Sequence, residues 1–190
     1  MRKTALLALL AAAGCGGSPL YGELEIPNVT VTLPQQSFPA PADPSALCRD
    51  SSGQVIPQCA QKAIAYDLGA QVPVIEEKNV SYHVQLKSLA IALAANDPMG
   101  DFSLVQSVKI SVVGSNGLPD VVIASYTQDP ANPAPKAITV QAYSNVDLAS
   151  YIQAGTLDLR TELHGVPPAF TADVTGTFYL KVRMDWGAYL

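Results

Sequence analysis

Apolar and polar side chains alternate along the second half of the chain. In the run "FTADVTGTFYLKVRMDW", Phe178, Leu180, Val182 and Met184 fall on one face of an extended strand. Successive side chains of a strand point to opposite faces, so this pattern fits a sheet that is buried on one face. Similar runs recur about every ten residues between Gly, Pro, Asn and Asp turns, which is typical of an antiparallel β-sandwich. The sequence therefore predicts an all-β fold of roughly seven or eight strands.

The sandwich is expected to occupy residues 23–190 as a single domain. An immunoglobulin-like arrangement is the first expectation and a barrel is the second. Trp186 lies too near the end for the Cys–Trp–Cys spacing of true immunoglobulin domains. Residues 23–69 are rich in proline and are predicted to be an irregular N-terminal part, while residues 70–190 form the main sandwich. Within the N-terminal part, residues 23–33 alternate as a strand that Pro27 makes an edge strand or a broken strand, and a loop is expected from Pro34. The pattern at residues 60–69 fits either a short helix or a strand.

Two local irregularities are predicted within the β pattern. The apolar phase shifts by one residue between Lys87 and Ser88, which indicates a bulge. The stretch "NVDLASYIQAG" departs from alternation and predicts one short helix, which Asn145 or Asp147 caps and Gly155 ends.

The N-terminus has the composition of an export signal. Arg2 and Lys3 precede an apolar stretch, Thr4–Ala13, that is too short to span a bilayer. Residues 12–15, AAGC, resemble the lipobox of bacterial lipoproteins, with alanine at position 12 where that family usually has leucine. This resemblance implies that residues 1–14 are a signal peptide and that Cys15 becomes the lipidated first residue of the mature chain.

Lipidation of Cys15 implies an anchor in a membrane of the cell envelope, with residues 15–22 as a tether. In enteric bacteria, an aspartate after the cysteine retains such a lipoprotein in the inner membrane. Gly16 stands there instead, which favours the outer membrane of a Gram-negative bacterium. The alternative is an ordinary secretory signal cleaved at one of the alanines, with Cys15 discarded or left as a free thiol.

The charge balance narrows the class of partner. The chain has 11 basic and 16 acidic residues and a formal net charge of −5, which becomes −7 once Arg2 and Lys3 leave with the signal peptide. Because an acidic protein does not neutralise phosphates, no nucleic-acid partner is expected. The expected partners are the membrane, through the N-terminal lipid, and an envelope protein.

Cys48 and Cys59 bracket the stretch "CRDSSGQVIPQC". Because an exported chain matures in an oxidising compartment, a disulfide between them is predicted. A metal site is one alternative, but two cysteines without a nearby histidine make a poor one. An unpaired buried couple is the other alternative. No metal or cofactor is predicted.

Catalytic chemistry has few candidates. Only His83 and His164 can act as the base of a triad. The pattern places His83 on the exposed face of a strand and His164 in a turn that follows a strand. The chain has no Gly-x-Ser-x-Gly elbow, P-loop, dinucleotide fingerprint or zinc-helix motif. We therefore expect no enzyme activity; a histidine in contact with a carboxylate and a serine would favour a hydrolase instead.

Weaker binding features remain. Asn96, Asp97 and Asp101 offer oxygen ligands for calcium in a loop that otherwise fits a plain turn, and Glu76–Glu77 is interpreted as a charged turn. Aromatic side chains that could form a sugar platform are Tyr21, Tyr126, Tyr143, Tyr179, Trp186 and Tyr189. The sequence favours a lipid-anchored interaction or structural module. A surface lipoprotein that binds a sugar or a small apolar molecule is the alternative.

Overall fold

The computed structural model of the protein describes residues 21–73, 80–97, 99–115, 117–133, 136–143 and 145–185. Its strands are β1 (Tyr21–Phe38), β2 (Leu47–Arg49), β3 (Val55–Asp67), β4 (Val80–Leu93), β5 (Val105–Val112), β6 (Val121–Thr127), β7 (Ala137–Gln141), β8 (Thr156–Gly165) and β9 (Phe170–Asp185). One-turn 3-10 helices lie at Pro44–Ala46 and Ala149–Tyr151. Among the described residues, no helix is long and apolar enough to cross a membrane.

The strands form two antiparallel sheets that pack face to face. The first sheet has the order β1-β9-β4-β7, and the second has the order β2-β3-β8-β5-β6. The antiparallel β-sandwich predicted from the sequence is therefore confirmed, with nine strands within the described residues in place of seven or eight.

The strand order is nested. With the three-residue β2 set aside, the first strand pairs with the last, β3 pairs with β8, β4 with β7, and the central β5 with β6. A long hairpin wrapped around a core gives this order, which is the jelly-roll arrangement. The expected immunoglobulin-like strand order is therefore not found. In that order, with the strands lettered A to G along the chain, one sheet contains A, B, E and D and the other contains C, F and G.

The hydrophobic core fills the space between the sheets. Opposed residues across a sheet share a face, so one inward row of the first sheet is Leu33, Val174, Ile91 and Ile138. Phe38 stacks on Phe170 with ring centroids 4.9 Å apart, and Tyr66 meets Phe178 edge to face at 5.5 Å. The contact of Tyr66 with Phe178 joins the two sheets, because Phe178 lies on β9 and Tyr66 lies on β3.

The predicted bulge in β4 is present. The register of β4 against β9 shifts between Leu86 and Ser88, which leaves Lys87 as the extra residue. Leu86 before the shift and Leu89 after it are both buried. The bulge therefore lets both halves of one strand face the core although their apolar phases differ.

The N-terminal part is more regular than predicted. Residues 23–69, expected to be irregular, contribute β1, β2 and β3, and residues 60–67 are strand. β1 accommodates Pro27 and Pro34 because it is an edge strand whose register against β9 shifts at each proline. The missing proline N–H groups therefore fall at irregular positions of the ladder.

The predicted short helix is a single 3-10 turn, Ala149–Tyr151. Leu148 occupies the N-cap position and makes no side-chain capping bond, so neither Asn145 nor Asp147 caps this turn as predicted. Asp147 lies one residue earlier, and its Oδ1 accepts a hydrogen bond from the backbone N–H of Ala149 at 3.0 Å. Leu148 is buried in the core. Gly155 has a positive φ of 77°, which glycine adopts without strain, where the segment turns into β8.

Candidate functional site

The outer face of the first sheet carries two rows of small side chains that cross all four strands. Successive side chains of a strand point to opposite faces of the sheet. The residues just before and just after the inward-facing Val31 and Leu89 therefore form two rows on the outer face. The first row is Thr30, Thr177, Ser88 and Gln141, and the second is Thr32, Thr175, Ala90 and Thr139. We call these two rows the hydroxyl face.

The hydroxyl face is accessible and contains no ionisable side chain. Its residues on the edge strands β1 and β7 are exposed, and those on β9 and β4 are half-buried. Thr32 Oγ1 lies 3.2 Å from Thr175 Oγ1, so the hydroxyls of neighbouring strands form a hydrogen bond. Threonine also favours extended backbone, so the residues that stabilise the strands supply the polar surface as well.

A polar groove lies on the same face of the sheet, closer to the start of β1. Its volume is about 210 Å³, and its lining is Glu23, Ser81, His83, Lys181 and Arg183. Lys181 Nζ lies 3.0 Å from Glu23 Oε2 and 3.6 Å from Glu25 Oε1. The hydrogen bond and charge of Glu23, with a smaller contribution from Glu25, raise the pKa of Lys181.

His83 is exposed, as predicted, and it contacts Asp147 from the connection between β7 and β8. Its Nδ1 lies 2.5 Å from Asp147 Oδ2. Asp147 Oδ1 also accepts hydrogen bonds from the backbone N–H groups of Val84 and Ala149, at 3.1 and 3.0 Å. Partial burial acts to raise the pKa of Asp147, but these three hydrogen bonds and the His83 charge outweigh it and lower the pKa.

A histidine and a carboxylate therefore meet, but they lack a nucleophile. Ser81 lines the same groove as His83 without a hydrogen bond to it. Within the part of the chain that the structure describes, neither His83 nor His164 forms a hydrogen bond with a serine hydroxyl. Asp147 instead fastens the β7–β8 connection to β4, since its carboxylate contacts His83 and accepts a hydrogen bond from the backbone N–H of Val84, and both residues belong to β4.

Replacing Asp147 by alanine should lower the free energy of unfolding by about 1–2 kcal/mol, because two backbone N–H groups lose their acceptor. Urea unfolding measures this loss. His83→Gln is the matched control, since it removes only the contact from the 68 % exposed imidazole and should cost less than about 1 kcal/mol. Equal losses in the two variants would contradict the fastening role of Asp147.

The pH dependence of stability follows from the same carboxylate. The fold lowers the pKa of Asp147 below its ordinary value of 3.8, so ionised Asp147 stabilises the fold above that pH. Its contribution is lost as the pH falls through the lower folded-state pKa. Stability curves below pH 4 should therefore be less steep for Asp147→Asn than for the wild type.

His164 lies within β8 and not in a turn as predicted, because it is paired on both sides, with Cys59 of β3 and Ser107 of β5. Its Nε2 lies 3.6 Å from Cys59 Sγ.

The predicted disulfide between Cys48 and Cys59 is present, with a Cα–Cα distance of 5.5 Å. A catalytic triad does not result, since the neighbouring acid, Glu162, contacts Lys109 at 2.5 Å and His164 only at 3.9 Å.

The acidic loop does not gather its carboxylates into a cation site. Asp97 accepts hydrogen bonds from the backbone N–H groups of Met99 and Thr171, and Asp101 accepts one from that of Ser103. The bonds from Met99 and Ser103 cap turns, which matches the plain-turn interpretation, and the bond from Thr171 joins the loop to β9. Among the described residues, the group of potential metal ligands that does converge is Cys48, Cys59 and Glu162.

The candidate aromatic residues do not share one surface. Tyr126 packs against the core, and Tyr143 is exposed with its hydroxyl 2.8 Å from Ser125 Oγ on the second sheet. Tyr179 lies on the outer face of the first sheet beside Gln85. Several predicted features lie outside the described residues or side chains: the signal peptide 1–14, Cys15, the Tyr21 side chain, Glu76–Glu77, Trp186 and Tyr189.

No protein-family model matches the chain, and no curated protein is detectably similar to it. Sequence reasoning missed the hydroxyl face and the approach of His164 to the cysteines. The alternating threonines of β1 and β9 are a sequence signal that could have indicated the hydroxyl face. No sequence signal indicates the contact of His164 with Cys59, because the two residues are 105 positions apart.

Proposed function

We propose that the protein is a lipid-anchored binding module of the bacterial cell envelope that performs no catalysis. Its interaction surface in this proposal is the outer face of the first sheet, and its partner is another envelope component. The lipobox-like residues 12–15 support the anchor. The hydroxyl face supports the choice of surface, and it is the observation on which the proposal chiefly rests.

The hydroxyl face shares one feature with the centre of an interface, which is that it carries no charged side chain. Interface cores are depleted in Lys, Glu and Asp, and charged groups lie at their rims. Hydroxyl, amide and methyl groups make up the two rows, while the ion pairs of Lys181 lie beyond them in the polar groove. Four adjacent strands give a surface about 14–15 Å wide. A surface this open fits a macromolecule better than an enclosed small molecule.

The anchor would orient this surface relative to the membrane. β1 begins at Tyr21, so residues 16–20 separate the lipidated cysteine from the first strand. A segment of this length reaches at most about 20 Å when extended. The polar groove, lined by Glu23 near the start of β1, is then the end closest to the membrane. The hydroxyl face extends away from the bilayer, where a partner can reach it.

Cys15→Ser is expected to move the protein from the membrane fraction to the soluble fraction. Without the cysteine no acyl chains can be attached, and acyl chains supply about 0.8 kcal/mol per buried CH₂. Fractionation of cells that express each form measures the change. Ser18→Ala, a change in the tether that keeps the cysteine, is the matched control. A Cys15→Ser protein that remains with the membrane would contradict lipid anchoring.

A charge placed in the hydroxyl face should weaken the partner complex. Thr177→Arg should reduce the amount of partner recovered after chemical crosslinking in cells by at least about tenfold, because an unpaired buried charge costs several kcal/mol. Ala65→Arg is the matched control, since Ala65 is exposed on the outer face of the second sheet. Equal recovery with both variants would contradict the assignment of the surface.

A glycan is the second candidate partner, and Tyr179 is the observation that favours it. A tyrosine ring beside amide and hydroxyl groups can stack on a sugar and bond its hydroxyls. Insoluble cell-wall polysaccharide should retain the wild type but not Tyr179→Ala. Tyr143→Ala, which changes an exposed tyrosine just after β7 whose hydroxyl contacts Ser125 of the second sheet, should be retained. If the wild-type protein does not bind the polysaccharide, the glycan is excluded and a protein remains the proposed partner.

A further inference from the structure

Four side chains that can ligate metal ions converge on the outer side of the second sheet. Cys48 comes from β2, Cys59 from β3, and Glu162 and His164 from β8. His164 Nε2 lies 3.6 Å from Cys59 Sγ and 3.9 Å from Glu162 Oε2. The two sulfur atoms and a carboxylate oxygen of Glu162 lie within 4.8 Å of one another.

One of these distances equals the ligand separation in a tetrahedral zinc site. Zinc–sulfur bonds of about 2.3 Å and zinc–nitrogen bonds of about 2.0–2.1 Å keep the two ligand atoms roughly 3.6 Å apart at a tetrahedral angle. Cys59 Sγ and His164 Nε2 have that separation already. The two sulfurs would need about 3.8 Å, so a site of two sulfurs, one nitrogen and one oxygen requires that their covalent bond break and that the His164 and Glu162 side chains adjust around the ion.

We propose that Cys48, Cys59, His164 and Glu162 bind one Zn²⁺ ion when the two cysteines are thiols, so that the disulfide and the metal site are alternative states. A dithiol reductant supplies two electrons, breaks the S–S bond and is itself oxidised to a disulfide. Each cysteine thiol then releases its proton as it binds the ion as a thiolate. The inference is independent of the proposed binding function.

The surroundings of the cluster suit a bound cation. Cys48 and Cys59 are buried and Glu162 is only 8 % exposed, so little water competes for the ligand positions. The His164 side chain is 29 % exposed and offers an entry side. Lys109 Nζ lies 2.5 Å from Glu162 Oε2 and compensates part of the negative charge that two thiolates and a carboxylate bring together. Strand pairing thus supplies the histidine that the sequence lacks near the cysteines.

Cobalt binding tests the proposal, with the full chain carrying Cys15→Ser so that Cys48 and Cys59 are the remaining thiols. The reduced protein should bind one equivalent of Co²⁺, with a thiolate-to-cobalt charge-transfer band and intense visible bands of tetrahedral cobalt, and Zn²⁺ should displace it. The oxidised protein should give no such spectrum. His164→Ala should weaken binding at least about tenfold, while His83→Ala, the matched change in the other sheet, should not.

Absence of the cobalt spectrum in the reduced parent, or equal affinity of the His164→Ala and His83→Ala variants, would overturn the proposal. If the reduced chain unfolds, circular dichroism measures whether Zn²⁺ refolds it. Zn²⁺ should then restore the strand signal of the parent but not of His164→Ala, because a ligand of the folded state stabilises it. Zinc that restores neither protein, or both equally, would also overturn the proposal.

Discussion

Truncation of Phe178 to alanine should lower the free energy of unfolding by about 3–5 kcal/mol. The ring is fully buried between the sheets and meets Tyr66 edge to face at 5.5 Å. It also lies against Gly176, where an added Cβ would be 2.7 Å from Phe178 Cε2. The backbone at Gly176 and the rigid ring of Tyr66 limit how far the cavity can collapse, so the loss should lie near the upper end.

Urea unfolding measures this effect, and Tyr179→Ala is the matched control. Tyr179 follows Phe178 in β9 but faces outward, so its loss should cost less than about 1 kcal/mol. Together the two variants test which face of β9 is buried. Losses of equal size would contradict the inward and outward assignment, and with it the position of the hydroxyl face.

Removal of the disulfide should have the next largest effect on stability. The double variant Cys48→Ala/Cys59→Ala should lose about 3 kcal/mol, because the cross-link closes a short loop, of sequence separation 11, in the unfolded chain. For a domain of this size the midpoint of thermal unfolding should fall by roughly 6–12 °C.

Differential scanning calorimetry measures the midpoint shift. The control is the single variant Cys15→Ser, which leaves the disulfide intact and should unfold at the wild-type temperature. The reduced form of that control should unfold at the lower temperature of the double variant when metal is absent. A double variant as stable as the wild type would contradict a stabilising role for the cross-link.

Side-chain alternation was enough to predict the class of the fold and the facing of individual residues. The bulge after Leu86 was predictable because a continuous strand needs an extra residue if apolar side chains of opposite phase are to face one core. The strand order was not predictable in this way. Each strand of a sandwich has the same two-residue period, so the pattern specifies which face is buried and not which strand is the neighbour.

The N-terminal strand shows a different limit. Pro27 indicates an edge strand or a broken strand over residues 23–33, and β1 is an edge strand with a register shift there. Pro34 indicates the start of a loop, yet β1 continues to Phe38 with a second register shift against β9. A proline blocks pairing only where its N–H would have donated. Whether it does so depends on the position of the strand in the sheet, which local sequence does not encode.

The candidate sites depend on contacts between distant residues. The hydroxyl face exists because threonines of β1 and β9 fall in register with residues of β4 and β7. A metal site was not predicted because no histidine lies near the cysteines in the sequence, and the pairing of Cys59 with His164 removes that objection. Both features arise from register, which becomes known only with the fold.

Site-specific photocrosslinking in cells tests the central proposal most directly. A photoreactive amino acid replaces Thr177 on the hydroxyl face or, as the control, Ala65 on the outer face of the second sheet. The proposal predicts one discrete crosslinked envelope component from position 177, none from position 65, and loss of the product in Cys15→Ser. Crosslinks of equal yield from both positions, or none from position 177, would contradict the hydroxyl face as the interaction surface.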